Sequence, residues 1–110
     1  MVGKYKVITL CGSTRFEDEF HQVQRDLTLA GNIVISVGLF SHAQENGEDW
    51  VKDGTKEMQM LDDLHKRKID MADEIFVINV GDYIGNSTKS EIEYAIATGK
   101  KVNYLEAHHE

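Results

Sequence analysis

The chain has 110 residues, of which 41% are hydrophobic and 28% charged, and a formal net charge of −7. This length supplies one domain with a single modest core. The 19 acidic residues against 12 basic ones count against a sequence-independent nucleic-acid binder, which needs surplus Lys and Arg. One cysteine cannot form an internal disulfide, and no apolar run approaches the roughly 20 residues of a membrane span. We therefore expect one cytoplasmic domain over residues 1–110 that binds neither nucleic acid nor a membrane.

Apolar runs alternate with amphipathic segments along the chain. The apolar runs predict four strands: Tyr5–Leu10, Ile33–Val37, Glu74–Val80 and Val102–Leu105. Apolar residues at helical spacing predict three helices: one from about Phe16 to Ala30, one from about Thr55 to Ala72, and one from Ser87 or Thr88 to Gly99. This β-α-β-α-β-α-β order favours an α/β fold that is doubly wound and Rossmann-like, with three layers and a mainly parallel sheet.

The first and third strands are the most continuously apolar, which predicts that they lie at the centre of a sheet with strand order 2-1-3-4. In such a sheet ligands bind beyond the carboxyl ends of the strands, where the strand order reverses. The segment after Leu10 and the segment after Val80 should meet there. The long segment Leu39–Asp53 has no clear period. Its Trp50 is a candidate for stacking on a ligand ring, for covering the edge of the core or for meeting a partner chain.

The first turn carries groups that suit an anion. Gly12 follows the first strand, and free N–H groups at the start of the next helix favour a phosphate or carboxylate. Ser13 and Thr14 add hydroxyl donors, and Arg15 adds a fixed positive charge. Tyr83, in the segment after the third strand, could reach a ligand in the same crevice, or it shields the core. The turn matches neither the P-loop nor the dinucleotide glycine pattern. The alternative interpretation is an ordinary strand-to-helix turn with a surface arginine, because Gly-Ser-Thr is common in turns.

Glu91 is the candidate catalytic carboxylate. If Ser87 or Thr88 caps the third helix, Glu91 lies in the first turn, where the helix dipole lowers a carboxyl pKa. An ionised carboxylate at the mouth of a cleft suits nucleophilic attack. The alternative is that Glu91 only stabilises the helix start. The five histidines and Cys11 show no metal-ligand spacing, so we predict no metal site and no cofactor.

Three motifs carry a family resemblance: the first strand ends in Cys-Gly-Ser, Ala-Asp opens the third strand, and Ser-x-x-Ser-Glu-Ile-Glu-Tyr-Ala begins the last helix. Together they resemble the nucleoside 2-deoxyribosyltransferase family and the related N-glycosidases that release a base from a deoxynucleoside 5′-monophosphate. The resemblance implies cleavage or exchange of an N-glycosidic bond through a covalent sugar on Glu91. His65 stands where the family has an aspartate, and Glu93 where it has a small residue. The alternative function is therefore a non-catalytic nucleotide-binding or signalling module.

The resemblance also implies the other site roles. Gly12, Ser13 and Arg15 match the segment that lines the sugar or phosphate side, and Ser87 falls near a hydroxyl that serves the phosphate. His65 would deliver a proton to the leaving base near neutral pH. The expected partner is a nucleoside or nucleotide. Related enzymes complete their pockets with residues from a neighbour, so we expect a homodimer or higher homo-oligomer.

Overall fold

The computed structural model describes residues 3–40 and 56–108, which form a parallel sheet flanked by helices. The strands are β1 (Val7–Gly12), β2 (Ile33–Ile35), β3 (Glu74–Ile78) and β4 (Lys101–Tyr104). The α-helices are α1 (Glu17–Leu29), α2 (Lys56–Asp70) and α3 (Asn86–Ala97), and short 3-10 helices cover Thr14–Phe16 and Val80–Asp82. No helix in the described part of the chain is long and apolar enough to cross a bilayer. Most of the segment Leu39–Asp53, with Trp50, lies outside the described residues.

The strand order is β2-β1-β3-β4 and every pairing is parallel, which confirms the predicted α/β fold and strand order. β1 and β3 form the central pair, in register from Ile8 opposite Glu74 to Gly12 opposite Ile78. The predicted first strand was too short at its carboxyl end. It continues two residues past Leu10 because those residues still pair with β3.

The two faces of the sheet carry separate apolar clusters, because successive side chains of a strand point to opposite faces. One cluster packs against α1 and comprises Ile8, Leu10, Phe20, Val23 and Ile78. The other packs against α2 and α3 and comprises Cys11, Ile69, Ile75, Val77, Ile92 and Ala95. Helices thus cover both faces of the sheet, which confirms the three-layer arrangement.

Tyr94 ties α3 to the end of α2. Its hydroxyl donates a hydrogen bond of 2.6 Å to the Asp70 carboxylate and accepts one of 3.1 Å from the Arg67 guanidinium. The bond to Asp70 holds the hydroxyl proton and raises the pKa of Tyr94. Arg67 also pairs with Asp70 at 3.2 Å. This network fixes the two helices that carry His65 and Glu91 relative to one another.

The predicted caps of the last helix are wrong. α3 begins at Asn86 with Gly85 as its N-cap, and no side chain makes a capping hydrogen bond. Ser87 and Thr88 lie inside the first turn, and Thr88 is buried there. Glu91 is therefore the sixth residue of α3 and lies in its second turn. After β1, by contrast, Ser13 acts as a side-chain cap: its hydroxyl accepts a hydrogen bond from the Arg15 N–H at the start of the 3-10 helix before α1.

Gly12 is required where β1 ends. Its φ is +151°, a value that L-residues rarely adopt. A Cβ at this position would lie 2.9 Å from the main-chain oxygen of Ile78 on β3. The absence of a side chain therefore lets the central strand pair continue to the point where the site begins.

Replacing Gly12 should destabilise the protein more than replacing other glycines. We expect Gly12→Ala to lower the free energy of unfolding by about 3 kcal/mol, because strained φ and a clash with immovable backbone act together. Gly31→Ala tests strained φ alone, since φ is +92° with nothing within 4 Å. Gly38→Ala is the control without backbone strain or a clash, because the Lys68 Nζ atom, at 3.8 Å, is its one neighbour within 4 Å among the described residues.

Urea denaturation of the three variants measures these effects. The expected order of destabilisation is Gly12→Ala, then Gly31→Ala, then Gly38→Ala, the last within about 0.5 kcal/mol of the unmodified protein. Equal stability of the Gly12 and Gly38 variants would contradict the close approach of β1 to β3.

Candidate functional site

A cavity of about 590 Å³ opens where the segments after β1 and β3 meet. This is the position at which the strand order reverses. The cavity lies within the volume range usual for small-molecule sites. Its lining includes every residue that the sequence predicted for the site: Gly12, Ser13, Thr14, Arg15, His65, Tyr83, Ser87 and Glu91. The topology thus brings together residues from three distant parts of the chain.

We call the buried part of the lining the inner end of the cavity. His65 and Glu91 belong to it, and a third side chain, Cys11, contacts His65 there without lining the cavity itself. Cys11 extends from β1, His65 from α2 and Glu91 from α3. The Cys11 Sγ atom is 3.4 Å from His65 Nε2, and His65 Nε2 is 3.6 Å from Glu91 Oε1. Cys11 is fully buried, and the side chains of His65 and Glu91 are 10% and 13% exposed. We call these three residues the floor cluster.

Burial raises the pKa of Glu91 to about 7. A hydrogen bond with Cys11 and the charge of Lys66 favour the ionised form, and the nearby Asp62 opposes it. The sequence predicted a lowered pKa for this carboxyl, and that prediction is wrong. In the second turn the carboxyl is beyond the strongest influence of the helix dipole, so loss of hydration dominates.

The His65 imidazole is neutral at pH 7. Burial and the charge of Lys68 lower its pKa to about 4, although a hydrogen bond to the main chain of Leu10 favours the charged form. The 3.6 Å contact with Glu91 is therefore a contact of a neutral ring with a carboxyl group, not an ion pair. A main-chain carbonyl only accepts, so one ring nitrogen donates to Leu10 and the nitrogen facing the cluster is left as an acceptor. A neutral His65 ring is not the protonated imidazole that could donate a proton to a leaving base near neutral pH.

The Cys11 thiol stays protonated at neutral pH. Burial raises its pKa well above the usual value, and the nearby Glu91 carboxylate raises it further. A reactive cysteine needs an exposed, electropositive environment, and Cys11 has neither exposure nor a cationic neighbour among its pKa determinants. Cys11 is therefore not a candidate nucleophile.

We call the exposed part of the lining the cavity mouth. It includes a stacked pair, Arg15 and Tyr83. The Arg15 guanidinium carbon lies 4.4 Å from the centroid of the Tyr83 ring, and Phe16 packs edge-on against the same ring with centroids 6.0 Å apart. Stacking of this kind fixes the orientation of a guanidinium without neutralising it. The hydroxyl-bearing residues Ser13 and Ser87 line the same cavity.

Sequence reasoning missed two features of the site. One is an apolar wall formed by Met58, Leu61 and Leu64 on α2, for which the sequence predicted no role in the site. The other is Cys11, which is buried in the core and contacts His65. No sequence spacing identifies that contact, because the two residues are 54 positions apart.

Glu91→Gln should change how stability depends on pH. The folded pKa of Glu91 is raised from 4.5 to about 7, so the unfolded chain loses this proton first as pH rises. Unfolding is then favoured increasingly between about pH 4.5 and pH 7. Glutamine does not titrate. Between pH 5 and pH 8 the free energy of unfolding of Glu91→Gln should therefore rise by about 3 kcal/mol relative to that of the unmodified protein.

Urea denaturation at several pH values in EDTA measures this change. Glu93→Gln is the matched control, because it removes an exposed carboxyl from the same helix. A constant difference between Glu91→Gln and the unmodified protein across this range would show that the carboxyl is not held in a dehydrated site.

Comparison with known proteins does not identify a family. No family model matches the chain, and no curated protein matches it significantly. The likeness to nucleoside 2-deoxyribosyltransferases thus depends on the three motifs quoted above.

Proposed function

We propose that this protein cleaves or exchanges the N-glycosidic bond of a deoxyribonucleoside or deoxyribonucleotide, with Glu91 as the nucleophile. The observation that carries the proposal is the position of Glu91. Its carboxyl reaches the inner end of a ligand-sized cavity whose mouth holds a cation and hydroxyl groups. A carboxylate at one end and anion-binding groups at the other suit a substrate with an electrophilic carbon and a phosphate.

The proposed reaction has two displacements. In the first, a Glu91 carboxylate oxygen bonds to C1′ of the sugar, and the C1′–N bond breaks with its electron pair on the departing base. A proton from water neutralises that nitrogen. In the second, water or another base attacks C1′ and the bond between C1′ and the Glu91 oxygen breaks, which releases the carboxylate. The proton lost by the attacking group neutralises the hydroxide left by the first step. Two inversions at C1′ give net retention, as in retaining glycosidases.

His65 acts in this proposal as a positioning residue. Its neutral ring faces the Glu91 carboxyl at 3.6 Å and is itself held by the main chain of Leu10. Because the pKa of Glu91 is about 7, roughly half of the carboxyl groups are ionised at neutral pH. Only that fraction can attack, so the rate of base release should follow ionisation of Glu91.

The rest of the cavity suits the other parts of such a substrate. Arg15 and Ser13 would contact a 5′-phosphate, because a fixed guanidinium and hydroxyl groups are favoured phosphate partners. The wall formed by Met58, Leu61 and Leu64 offers an apolar surface to a sugar or base. Self-association stays a prediction.

A non-catalytic nucleotide-binding module is the second candidate. The observation that favours it is the raised pKa of Glu91, which leaves part of the carboxyl protonated and unable to attack. The two candidates differ in one outcome. An enzyme releases free base, whereas a module binds the nucleotide and leaves it intact.

Glu91→Gln should abolish base release. Incubating the unmodified protein with a panel of deoxynucleosides and their 5′-monophosphates should yield free base, measured by liquid chromatography. The variant should lose on the order of a thousandfold or more in rate, because the amide cannot form the glycosyl ester. Glu93→Gln, which alters an exposed residue two positions away, should keep its activity. Intact-protein mass spectrometry should detect a sugar adduct only when Glu91 is present.

Two results would decide against the enzyme. Unimpaired turnover by Glu91→Gln would rule out Glu91 as the nucleophile. Saturable binding of a monophosphate without base release by the unmodified protein would support the nucleotide-binding module instead.

Arg15→Ala should separate phosphate recognition from the rest of binding. A charge-assisted contact contributes about 1.5–3 kcal/mol, so KM for a deoxynucleoside 5′-monophosphate should rise roughly ten- to a hundredfold. KM for the matching deoxynucleoside should change little. Arg25→Ala, an exposed arginine on α1 that pairs with Asp26, is the control. Equal effects of Arg15→Ala on both substrates would contradict a phosphate role.

A further inference from the structure

The floor cluster brings three different metal-ligating groups together. The ligand atoms of Cys11, His65 and Glu91 all lie within 4.8 Å of one another. They belong to three separate elements, so the cluster is not a consequence of local helix geometry. A thiolate, an imidazole and a carboxylate are the three ligand types that Zn²⁺ takes from proteins.

Two of the three distances within the cluster are close to those around one tetrahedral zinc ion, and the third is no more than 4.8 Å. With Zn–S near 2.3 Å and Zn–N and Zn–O near 2.1 Å, tetrahedral angles put sulfur and nitrogen about 3.6 Å apart and nitrogen and oxygen about 3.4 Å apart. The observed Sγ···Nε2 and Nε2···Oε1 distances are 3.4 Å and 3.6 Å. One ion could therefore contact all three atoms once the Cys11 and Glu91 side chains, whose ligand atoms lie within 4.8 Å, move towards a common centre.

The surroundings of His65 also suit zinc binding. A zinc-bound histidine almost always donates its other ring N–H to a carbonyl or carboxylate, which sets the ring orientation. His65 makes such a bond to the main chain of Leu10. The nitrogen that faces Cys11 and Glu91 is then free to donate its lone pair to a metal.

We propose that Cys11, His65 and Glu91 bind one Zn²⁺ ion, whose fourth position faces the cavity. Catalytic zinc sites have this form, with three protein ligands and one open position for water or a ligand. On binding, the thiol proton of Cys11 and any proton on Glu91 pass to solvent. The charge of Asp62, which lines the same cavity, adds to the attraction for a cation, and Lys66 and Lys68 oppose it.

This inference goes beyond the proposed function and does not depend on it. A carboxylate oxygen that is bound to zinc cannot at the same time attack a sugar carbon. The zinc-bound form and the attacking form of the site therefore exclude one another. The site would bind zinc when no substrate is turned over.

Cobalt titration tests the site directly. The full chain, stripped of metal with EDTA and dialysed, is titrated with Co²⁺ in the absence of nucleotide. We expect one equivalent to bind, with intense visible bands typical of tetrahedral cobalt and a near-ultraviolet thiolate-to-cobalt band. The chain has one cysteine, so that band identifies Cys11 as a ligand. Added Zn²⁺ should abolish both signals, because zinc displaces cobalt from such sites.

Variants of Cys11 and Glu91 test two of the three ligands. Cys11→Ser should remove the thiolate band, and Glu91→Gln should weaken Zn²⁺ binding by at least about tenfold in calorimetry. His108→Ala is the matched control, since it removes a histidine that pairs with Asp82 at 2.9 Å outside the cluster. It should leave the cobalt spectrum unchanged. Circular dichroism confirms that each variant is folded.

The opposite results would overturn the proposal. These are a cobalt spectrum of the unmodified protein without the thiolate band, or loss of binding in His108→Ala with retention in Glu91→Gln. Neither result bears on the enzymatic proposal, because no nucleotide is present. Base release measured in EDTA tests that proposal separately.

Discussion

The parallel pairing of β1 with β3 positions everything else in this protein. The two strands stay in register to the final residue of each, where Gly12 lies opposite Ile78. A side chain at Gly12 would meet the β3 main chain, so the pairing depends on its absence. Because the strands end together, the segments that follow them open onto one cavity. Ser13, Arg15 and Glu91 line the same cavity as a direct consequence.

Dehydration decides the chemistry at the inner end of that cavity. Burial raises the pKa of Glu91 and Cys11 and lowers that of His65, so all three groups favour their neutral forms. This tendency follows from one cause, the cost of placing a charge where water is excluded. A positively charged partner would reverse it. A sugar carbon that gains positive character and a zinc ion are two such partners, and both proposals use the same carboxylate.

The link between α2 and α3 gives these proposals their geometric basis. Tyr94, three residues beyond Glu91, donates to Asp70, five residues beyond His65. The contact between His65 and Glu91 is therefore supported by a second contact further along the same two helices. A cluster held in this way needs little rearrangement when a ligand arrives, which favours both tight binding and defined attack.

The fold class, the strand order and eight of the residues that line the cavity were predictable from the amino-acid sequence. Alternating apolar runs and amphipathic segments specify strands and helices locally, and right-handed parallel connections then leave few possible arrangements. The tertiary structure alone decided the protonation of the site. The sequence predicts Glu91 in the first turn of a helix, where the dipole would lower its pKa. The helix in fact begins at Asn86, and burial raises that pKa instead. The floor cluster was equally hidden, because Cys11, His65 and Glu91 are far apart in sequence and only the packing of β1, α2 and α3 brings their polar atoms together. Local patterns encode local structure, whereas hydration and long-range contacts arise only when the chain has folded.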